Sequence, residues 1–404
     1  MEADNQKLPY HKPNKLLWRW THCEGDEGCR IIRGLCLSMA RLPPVPDSKV
    51  SADKPIKSRK TVRPDPATKM LDDIERMVNA HARFRKWLNT PSPPKPPAPE
   101  PAPEPEPKKK EPQVEPFDIQ EIPGAMRKLM MPISATLMEK WFAGRLNYSP
   151  TVDDERNGIN QDGVPYPPDM IDTTTVKLEW VLKYARAKEQ FDNLTSSAIN
   201  GNAALRVIRA RLLPYKHRYP VISITDMCSD DIQLIHHHFH FQYAKVEGTF
   251  EQKALQYLKR LTEANGIPDD LTGALGSFNL YAAVERAEIS FDGTTAAITH
   301  ISVYVKDNYT FGTEPGEPSQ YLGHWNARSV NLVPATLAMH ALGRSWIDYP
   351  VGVGDLRKKE NFLYPVRNQD FRAWQTKHRR GGDFVIYSDR RIIRLRYPVY
   401  VNLS

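Results

Sequence analysis

Residues 296–325, AAITHISVYVKDNYTFGTEPGEPSQYLGHW, carry an alternating strand that runs directly into a polar, aromatic loop. Two sets of side chains alternate along the strand, which is the period-2 pattern of a half-buried strand: Ile298, His300, Ser302 and Tyr304 on one face, and Thr299, Ile301, Val303 and Val305 on the other. Asp307 and Tyr309 follow where that strand ends, and His324 lies beyond a loop rich in Gly, Pro, Glu and Ser. Carboxylate, phenol and imidazole groups on a loop held by a sheet are typical of functional sites.

These three side chains form the predicted catalytic site. We expect Asp307 to act as a metal ligand or general base, His324 as a general acid or base, and Tyr309 as a hydrogen-bond donor to developing charge. The alternative is a structural loop whose polar groups satisfy one another and the nearby backbone. In that alternative, Tyr321 and Trp325 are the hydrophobic anchors of the loop.

Two β-hairpins are predicted in the C-terminal part of the chain. The first turns at Asp292 and Gly293, directly before the opening strand, and this dipeptide is a strong hairpin signal. The second occupies residues 383–401 and turns at Ser388 and Asp389. The sheet is therefore expected to be mainly antiparallel.

Helical periodicity precedes the sheet. Apolar residues recur at three-to-four spacing over residues 122–142, Pro132 interrupts the run, and Gly144 follows it, so a kinked or split helix is predicted. Further helices are predicted at 249–264, from a capping box, and at 368–377. Helices first and antiparallel strands last indicate an α+β fold.

The chain divides into four predicted parts. Residues 1–64 show no sustained periodicity, and residues 65–89 have the apolar stripe of an amphipathic helix, which needs either the C-terminal domain or another protein as its partner. Residues 90–116 alternate Pro with Ala, Glu and Lys, which is typical of an extended, semi-rigid linker. Residues 117–404 form the predicted α+β domain, so the N-terminal segment is separate from it.

Histidines cluster in IQLIHHHFHFQY, which begins at Ile232. Read as a strand, this stretch places His236, His238 and His240 on one face, where imidazole nitrogens can bind a divalent metal. The other interpretation is a polar strand face exposed to water or to a cleft. No acidic or cysteine partner stands at a recognisable metal-ligand spacing.

Arginines recur along the last strands. Arg390, Arg394 and Arg396 can form an anion-binding platform, or they can lie on a solvated face. The net charge of +8 favours anionic partners without selecting among phosphate esters, lipid head groups and nucleic acid.

Composition and hydropathy predict neither a membrane-spanning segment nor a signal peptide. Among the 404 residues, 40% are hydrophobic and 35 are proline, and no run of about 18 apolar residues occurs, so no transmembrane segment is predicted. The first residues lack the apolar core of a signal peptide. We expect a protein that is cytoplasmic in the producing cell and exported, if at all, without a cleaved leader.

Three motifs carry a resemblance to a known family: IPGAMRKLMMPISATLMEKWF, IDTTTVKLEWVL, and YVKDNYTF followed by SQYLGHWN. In this order they resemble an uncharacterised bacterial domain family that is commonly encoded beside type VI secretion genes. The resemblance covers residues 117–404. It implies an effector delivered into rival bacteria, with a cognate immunity protein and a spike or adaptor component of the secretion system as partners, or a protein that handles such an effector.

A shorter resemblance concerns Asp307 and Tyr309. A strand that runs into Asp-x-Tyr is similar to the active motif of the colicin M family, which cleaves a lipid-linked peptidoglycan precursor at its pyrophosphate with magnesium. The sequence departs from that motif, because Thr310 stands where the family has a second Asp, and His324 comes later and precedes Trp325 instead of Arg.

Three functions are compatible with these observations. The first is an antibacterial effector that hydrolyses an anionic envelope or phosphodiester substrate at Asp307, Tyr309 and His324. The second is a non-enzymatic interaction protein or loading adaptor, for which the amphipathic helix and the proline linker are suited. The third is a toxin that targets nucleic acid through its basic residues, although no nuclease motif accompanies them.

Overall fold

The main sheet is built around one long strand, Thr295–Tyr309. The structure is a computed structural model, and it describes residues 10–14, 19–23, 37–44, 117–246, 268–312, 319–331, 348–353 and 358–404. The strands are β1 Tyr10–Asn14, β2 Arg19–Cys23, β3 Ile171–Asp172, β4 Val221–Ser223, β5 His240–Val246, β6 Phe278–Ile289, β7 Thr295–Tyr309, β8 Tyr321–Trp325, β9 Val330–Asn331, β10 Val351–Gly352, β11 Phe362–Arg367, β12 Phe384–Tyr387 and β13 Arg391–Asn402.

The helices precede most of these strands in the chain. They are α1 Ile122–Lys128, α2 Pro132–Ala143, α3 Val152–Asn157, α4 Leu178–Val181, α5 Ala185–Ser196, α6 Asn202–Leu212, α7 Ile224–Cys228, α8 Ile232–Phe239, α9 Asp270–Leu275 and α10 Asn368–His378. The predicted α+β class is confirmed, with helices over residues 119–240 followed by a mostly antiparallel sheet. No described helix combines the length and the apolar character that a bilayer crossing requires.

β7 has antiparallel neighbours on both sides. β6 pairs along most of its length, and the turn between them is fastened by the Asp292 carboxylate, which accepts bonds from Ser290 and Thr294. Gly293 there has φ of +70°, a conformation that favours glycine. The predicted first hairpin is therefore confirmed.

The predicted second hairpin is wrong. β12 and β13 do not pair with each other; they run in succession along the same edge of β7, antiparallel to it. Ser388 continues this pairing, because its N–H donates to the Val305 carbonyl at 3.0 Å and its hydroxyl accepts the Val305 N–H at 2.9 Å. Ser388 and Asp389 lack the positive φ that a tight hairpin turn requires, so the chain bends only slightly there.

The two faces of the main sheet differ in burial. Ile222, Ala287, Ile298 and Val399 lie side by side across four strands and are nearly inaccessible to solvent. The next row along the strands faces outward, and it consists of Val221, Glu288, Ala297 and Tyr400. At this end of the sheet, alternation separates a core face from an open face, whereas residues 301–305 of β7 are buried on both faces.

The core beside the carboxyl end of β7 is aromatic. Trp141 of α2 meets Phe371 and Trp374 of α10 at ring-centroid distances of 5.5 and 5.7 Å, and Phe311 stacks on Phe371. The split at Pro132 and the helix at 368–377, both predicted from the sequence, are confirmed, and Phe371 and Trp374 of that helix are fully buried. This cluster holds α2, α10 and the end of β7 together.

A second sheet lies beside the first, in the order β2, β1, β10, β11, β8, β9. β8 and β11 pair in antiparallel fashion, which brings residues 321–325 and 362–367 together. Residues of both strands lie near the carboxyl end of β7. β1 and β2 fall within the N-terminal residues that the sequence leaves irregular, and β1 pairs with β10 in parallel. The predicted helices at 65–89 and 249–264, and the linker at 90–116, lie outside the described residues.

Candidate active site

A cavity of about 570 Å³ lies at the carboxyl end of β7. Helices α1, α2 and α9 form one wall, the end of β7 forms another, and β8, β11 and α10 close the remaining side. The residues that line it are Ile122, Met126, Met131, Met138, Arg186, Pro268, Thr272, Gly273, Ala274, Leu275, Gly276, Ser277, Asp307, Asn308, Tyr309, Thr310, Phe311, Gln320, Tyr321, Leu322, Trp325, Val366, Asn368 and Phe371. Its volume falls in the ordinary range of ligand sites.

The Asp307 carboxyl lies in this cavity. Protein atoms surround the side chain on most sides, yet part of its surface stays accessible because the cavity is open. Burial raises the pKa of Asp307 well above its usual value, and the Asn308 backbone N–H and the Lys306 ammonium lower it by less. No described side chain bonds to the carboxyl, so it is available to a ligand.

Tyr309 lies two residues further along the same strand and lines the same cavity. Its ring stacks on Phe384 at 5.0 Å, it is only 8% exposed, and no described residue bonds to its hydroxyl. Burial raises the pKa of the phenol, so the group stays neutral and able to donate a hydrogen bond. The structure therefore brings two of the three predicted catalytic residues together.

His324 is placed differently. Its side chain is fully buried, its Nε2 bonds to the Tyr349 carbonyl at 2.9 Å, and its Nδ1 bonds to the Tyr321 hydroxyl. A carbonyl only accepts, so in the neutral ring Nε2 carries the proton and Nδ1 accepts from the tyrosine. His324 does not line the cavity, and both of its ring nitrogens are engaged in holding β8 to its surroundings.

The strand predicted for Ile232 to Tyr243 is wrong over most of its length, because α8 occupies Ile232–Phe239 and β5 begins only at His240. Asp231 caps the helix through the N–H groups of Gln233 and Leu234. Ile235 and Phe239, four residues apart, bury one helical face. An apolar run of this length fits the period of a strand as well as that of a helix. The Asp231 cap favours the helix.

The helix also changes the relation among the three histidines. His236 and His240 stack at 4.5 Å, whereas His238 projects from another side of the helix. Burial lowers the pKa of His236 to about 2, aided by the charge of Lys306. Within the described ranges, no group of three His, Cys, Asp or Glu side chains is arranged to hold a metal ion. The structure thus gives the proposed divalent metal no triad at this position.

The three predicted anion-binding arginines are separated from the cavity. Arg390 bonds to Asp230, Glu285 and the Thr225 hydroxyl and is only 12% exposed, so its charge is already neutralised. Arg394 is exposed beside His300, and Arg396 lies over the Tyr397 ring at 5.4 Å. Arg394 and Arg396 therefore remain available to a partner, and Arg390 does not.

One charged lining residue was not predicted from the sequence. Arg186 of α5 binds the Asp269 carboxylate through two bonds of 2.7 and 2.8 Å and donates to the Thr272 hydroxyl at 3.0 Å. Burial acts to raise the pKa of Asp269, but the bonds from Arg186 and Thr272 outweigh it and hold the pKa below its usual value. No spacing signal links these residues, because they are far apart in the chain.

The part of the chain that contains the cavity matches a known protein family. Residues 117–403 match the Family of unknown function (DUF6402). The match covers α1 to α10, the whole main sheet and every residue that lines the cavity. Neither the comparison with curated proteins nor that with solved structures finds a match.

Proposed function

Since the chain belongs to this family of unknown function through residues 117–403, we propose its activity from the site itself. The domain is an antibacterial effector enzyme, a hydrolase that binds its substrate in the Asp307 cavity. A single observation carries the proposal. Asp307, whose pKa is raised by burial, and Tyr309 both line a cavity of ligand size, and no described side chain bonds to the carboxyl of the first or the hydroxyl of the second.

The roles of the two residues follow from their protonation. A carboxylic acid with a raised pKa can give its proton to a leaving group while water attacks, which is general acid catalysis. Tyr309 remains neutral and donates a hydrogen bond to oxygen atoms on which charge develops. His324 has no place in this scheme, because its ring is buried and engaged elsewhere.

Delivery through type VI secretion, with a spike or adaptor component and an immunity protein as partners, is part of the proposal. It is supported by the resemblance of the three sequence motifs. From the colicin M similarity, the proposal keeps only Asp307 and Tyr309. The Thr310 hydroxyl donates a hydrogen bond to the Asp383 carboxylate at 2.8 Å, so this side chain helps to stabilise the core. The cavity offers a pyrophosphate no unpaired basic side chain among its described lining residues.

Growth of a sensitive bacterium tests the proposal. The full chain is expressed in the cytoplasm and, with a fused leader, in the periplasm, as wild type and as Asp307→Ala, Asp307→Asn and Asp153→Ala. Asp153 is exposed on α3, away from the lining residues, and serves as the matched control. We expect killing from one compartment, lost in both Asp307 variants and retained in the control. Killing by a folded Asp307→Ala protein at the wild-type level would exclude Asp307 from the mechanism.

A second candidate function, the interaction protein, is favoured by the open face of the main sheet. Arg286, His300 and Arg394 lie side by side across β6, β7 and β13, next to the outward row that contains Glu288 and Tyr400. Arginine and tyrosine beside each other are typical of protein interfaces. The acid within the basic patch disfavours a uniformly anionic surface such as nucleic acid or lipid.

Glu288→Lys separates these partners. We expect this variant to bind heparin and anionic vesicles more tightly than wild type, and a protein partner recovered from the producing bacterium more weakly. Arg394→Glu should lose the protein partner, whereas Asp307→Asn should keep it. A protein partner whose binding is unaffected by both Glu288→Lys and Arg394→Glu does not use this face.

A further inference from the structure

We infer that the Asp307 cavity binds a neutral, single-chain amphiphile, with its apolar tail against α1 and α2 and its uncharged polar head at Asp307 and Tyr309. The inference rests on the proposed function and deepens it by naming the chemical class of the substrate.

The two long walls of the cavity differ in polarity. The helical wall contributes Ile122 and Met126 of α1, Met131 just before α2, and Met138 of α2, all apolar. The end of β7 contributes Asp307 and Tyr309; Asn308 and Thr310 also line the cavity, and their side chains bond to Glu155 and Asp383. A ligand that touches both walls must therefore be apolar on one side and able to form hydrogen bonds on the other.

Methionines make the apolar wall adaptable. Unbranched thioether side chains fill irregular space and adjust to ligands of varied shape, which suits a flexible alkyl chain better than a rigid ring. Met131 is already held closely, because a Cβ added at Gly273 would lie 2.3 Å from its terminal methyl group. Met126 and Met138 line the rest of this wall.

The charge of the cavity selects a neutral head. Arg186 is bound to Asp269 by two bonds, so it offers no unpaired positive charge to an anion. An anionic head would face the Asp307 carboxyl with no unpaired cation among the described lining residues, and a cationic head would need Asp307 to ionise in its buried position, which is costly. An uncharged amide or hydroxyl can exchange hydrogen bonds with the Asp307 carboxyl and with Tyr309 at no such cost.

The volume sets the length of the ligand. At about 30 Å³ for each water-sized unit, the cavity of about 570 Å³ holds on the order of 20 non-hydrogen atoms. A chain of roughly ten to sixteen carbons with a small head therefore fits.

Three probes with the same tail test the inference: decanamide, decanoate and decylamine, titrated into the full chain at pH 7 by calorimetry without any turnover. We expect decanamide to bind at least tenfold more tightly than either charged probe. Met126→Trp, which fills the tail half of the cavity, should weaken decanamide binding at least tenfold, and Asp307→Ala at least fivefold. Asp153→Ala should leave it unchanged. If Met126→Trp does not fold, Leu322→Trp, at a half-exposed lining position, replaces it.

Several outcomes overturn the inference: equal affinity for all three heads, tighter binding of a charged probe, no binding of decanamide, or unchanged binding by a folded Met126→Trp or Leu322→Trp protein. The result is separable from that of the growth experiment. If decanamide binds as expected and Asp307→Ala still kills, the proposed function is wrong and the ligand class stands. If Asp307→Ala abolishes killing and decanamide does not bind, the ligand class is wrong and the proposed function stands.

Discussion

Asp307 and His324 show how strongly the surroundings of a residue decide its chemistry. Both were expected from the sequence to take part in proton transfer. Asp307 keeps an accessible edge in a cavity and has no side-chain partner among the residues that the structure describes, whereas His324 is fully buried between Tyr321 and the Tyr349 carbonyl. The first environment leaves a reactive group available, and the second fixes a strand in place.

The raised pKa of Asp307 predicts a pH-dependent effect of Asp307→Asn on stability. The folded chain keeps a proton that the unfolded chain loses above a pH of about 4, so wild-type stability falls as the pH rises toward the folded pKa. Asparagine has no such proton. We expect the stability of Asp307→Asn relative to wild type to increase from pH 4.5 to 8, by up to about 1.4 kcal/mol per pH unit until the folded pKa is reached.

Chemical denaturation at several pH values measures this difference. Asp153→Ala, an exposed position on α3, provides the baseline for changes that are unrelated to the cavity. A constant difference between wild type and Asp307→Asn across that range would show that Asp307 ionises normally in the folded protein.

His236 predicts the opposite pH dependence. Burial lowers its pKa to about 2, so below pH 6.5 the unfolded chain binds a proton that the folded chain does not. Stability linked to this group is present above pH 6.5 and is lost progressively as the pH falls. His236→Gln keeps a polar partner for the Tyr304 hydroxyl, which lies 3.0 Å from Nδ1.

We expect wild type to lose stability more steeply than His236→Gln between pH 6.5 and 4, by up to about 1.4 kcal/mol per pH unit. Thermal unfolding in that range provides the measurement. His238→Gln, at an exposed position on α8, is the matched control and should follow wild type. Parallel curves for wild type and His236→Gln would mean that His236 is protonated in the folded chain.

At the scale of elements, one carboxylate joins four segments of the chain. Asp383, just before β12, is 2% exposed and accepts hydrogen bonds from Trp141 of α2, from Arg372 of α10 and from Thr310 at the end of β7. All three of these partners are themselves buried or partly buried. Removing the carboxylate leaves a guanidinium and an indole N–H without their acceptor.

Asp383→Ala is therefore expected to destabilise the domain by about 3–5 kcal/mol, the usual cost of breaking a buried ion pair. Denaturant unfolding followed by fluorescence measures the change. Asp153→Ala breaks the exposed pair with Arg156 and should have little effect. Similar stabilities for the two variants would show that Arg372 and Trp141 find other acceptors.

Local sequence signals predicted the structure correctly where a single residue fixes the backbone conformation. Pro132 splits α1 from α2, and the turn at Gly293 follows from its dipeptide. Local signals failed at α8, where the apolar pattern fits both a strand and a helix and a strand was predicted. They also failed where the partners are distant in sequence, as for the ion pair of Arg390 with Glu285. The sequence pattern predicted that Asp307 and Tyr309 lie together at the end of a strand, because strand alternation is local, but it could not show that His324 bonds to the chain at Tyr349.

At the scale of the whole molecule, one end of the main sheet has a buried face and a face open to solvent. Ile298 sits in the buried row, between Ala287 of β6 and Val399 of β13, and Tyr400 stands in the neighbouring outward row. Ile298→Ala should cost about 2–5 kcal/mol, because it leaves a cavity at the centre of the packed face. Tyr400→Thr, which keeps strand propensity at an exposed position, should change stability little.

Denaturant midpoints of the two variants test this division of the sheet. A loss in Tyr400→Thr as large as that in Ile298→Ala would mean that the outward row is covered in solution, by another copy of the chain or by a bound partner.

The pairing of β12 and β13 with β7 also bears on how the protein folds. Phe384 meets Tyr309 and Asn402 meets Thr295, so the second edge of β7 must await chain that is synthesised long after the strand itself. Such non-local pairing slows folding. Until it forms, β7 presents an unpaired edge that can recruit strands from other molecules. A nascent or refolding chain is therefore most prone to aggregation at the strand on which the finished fold depends.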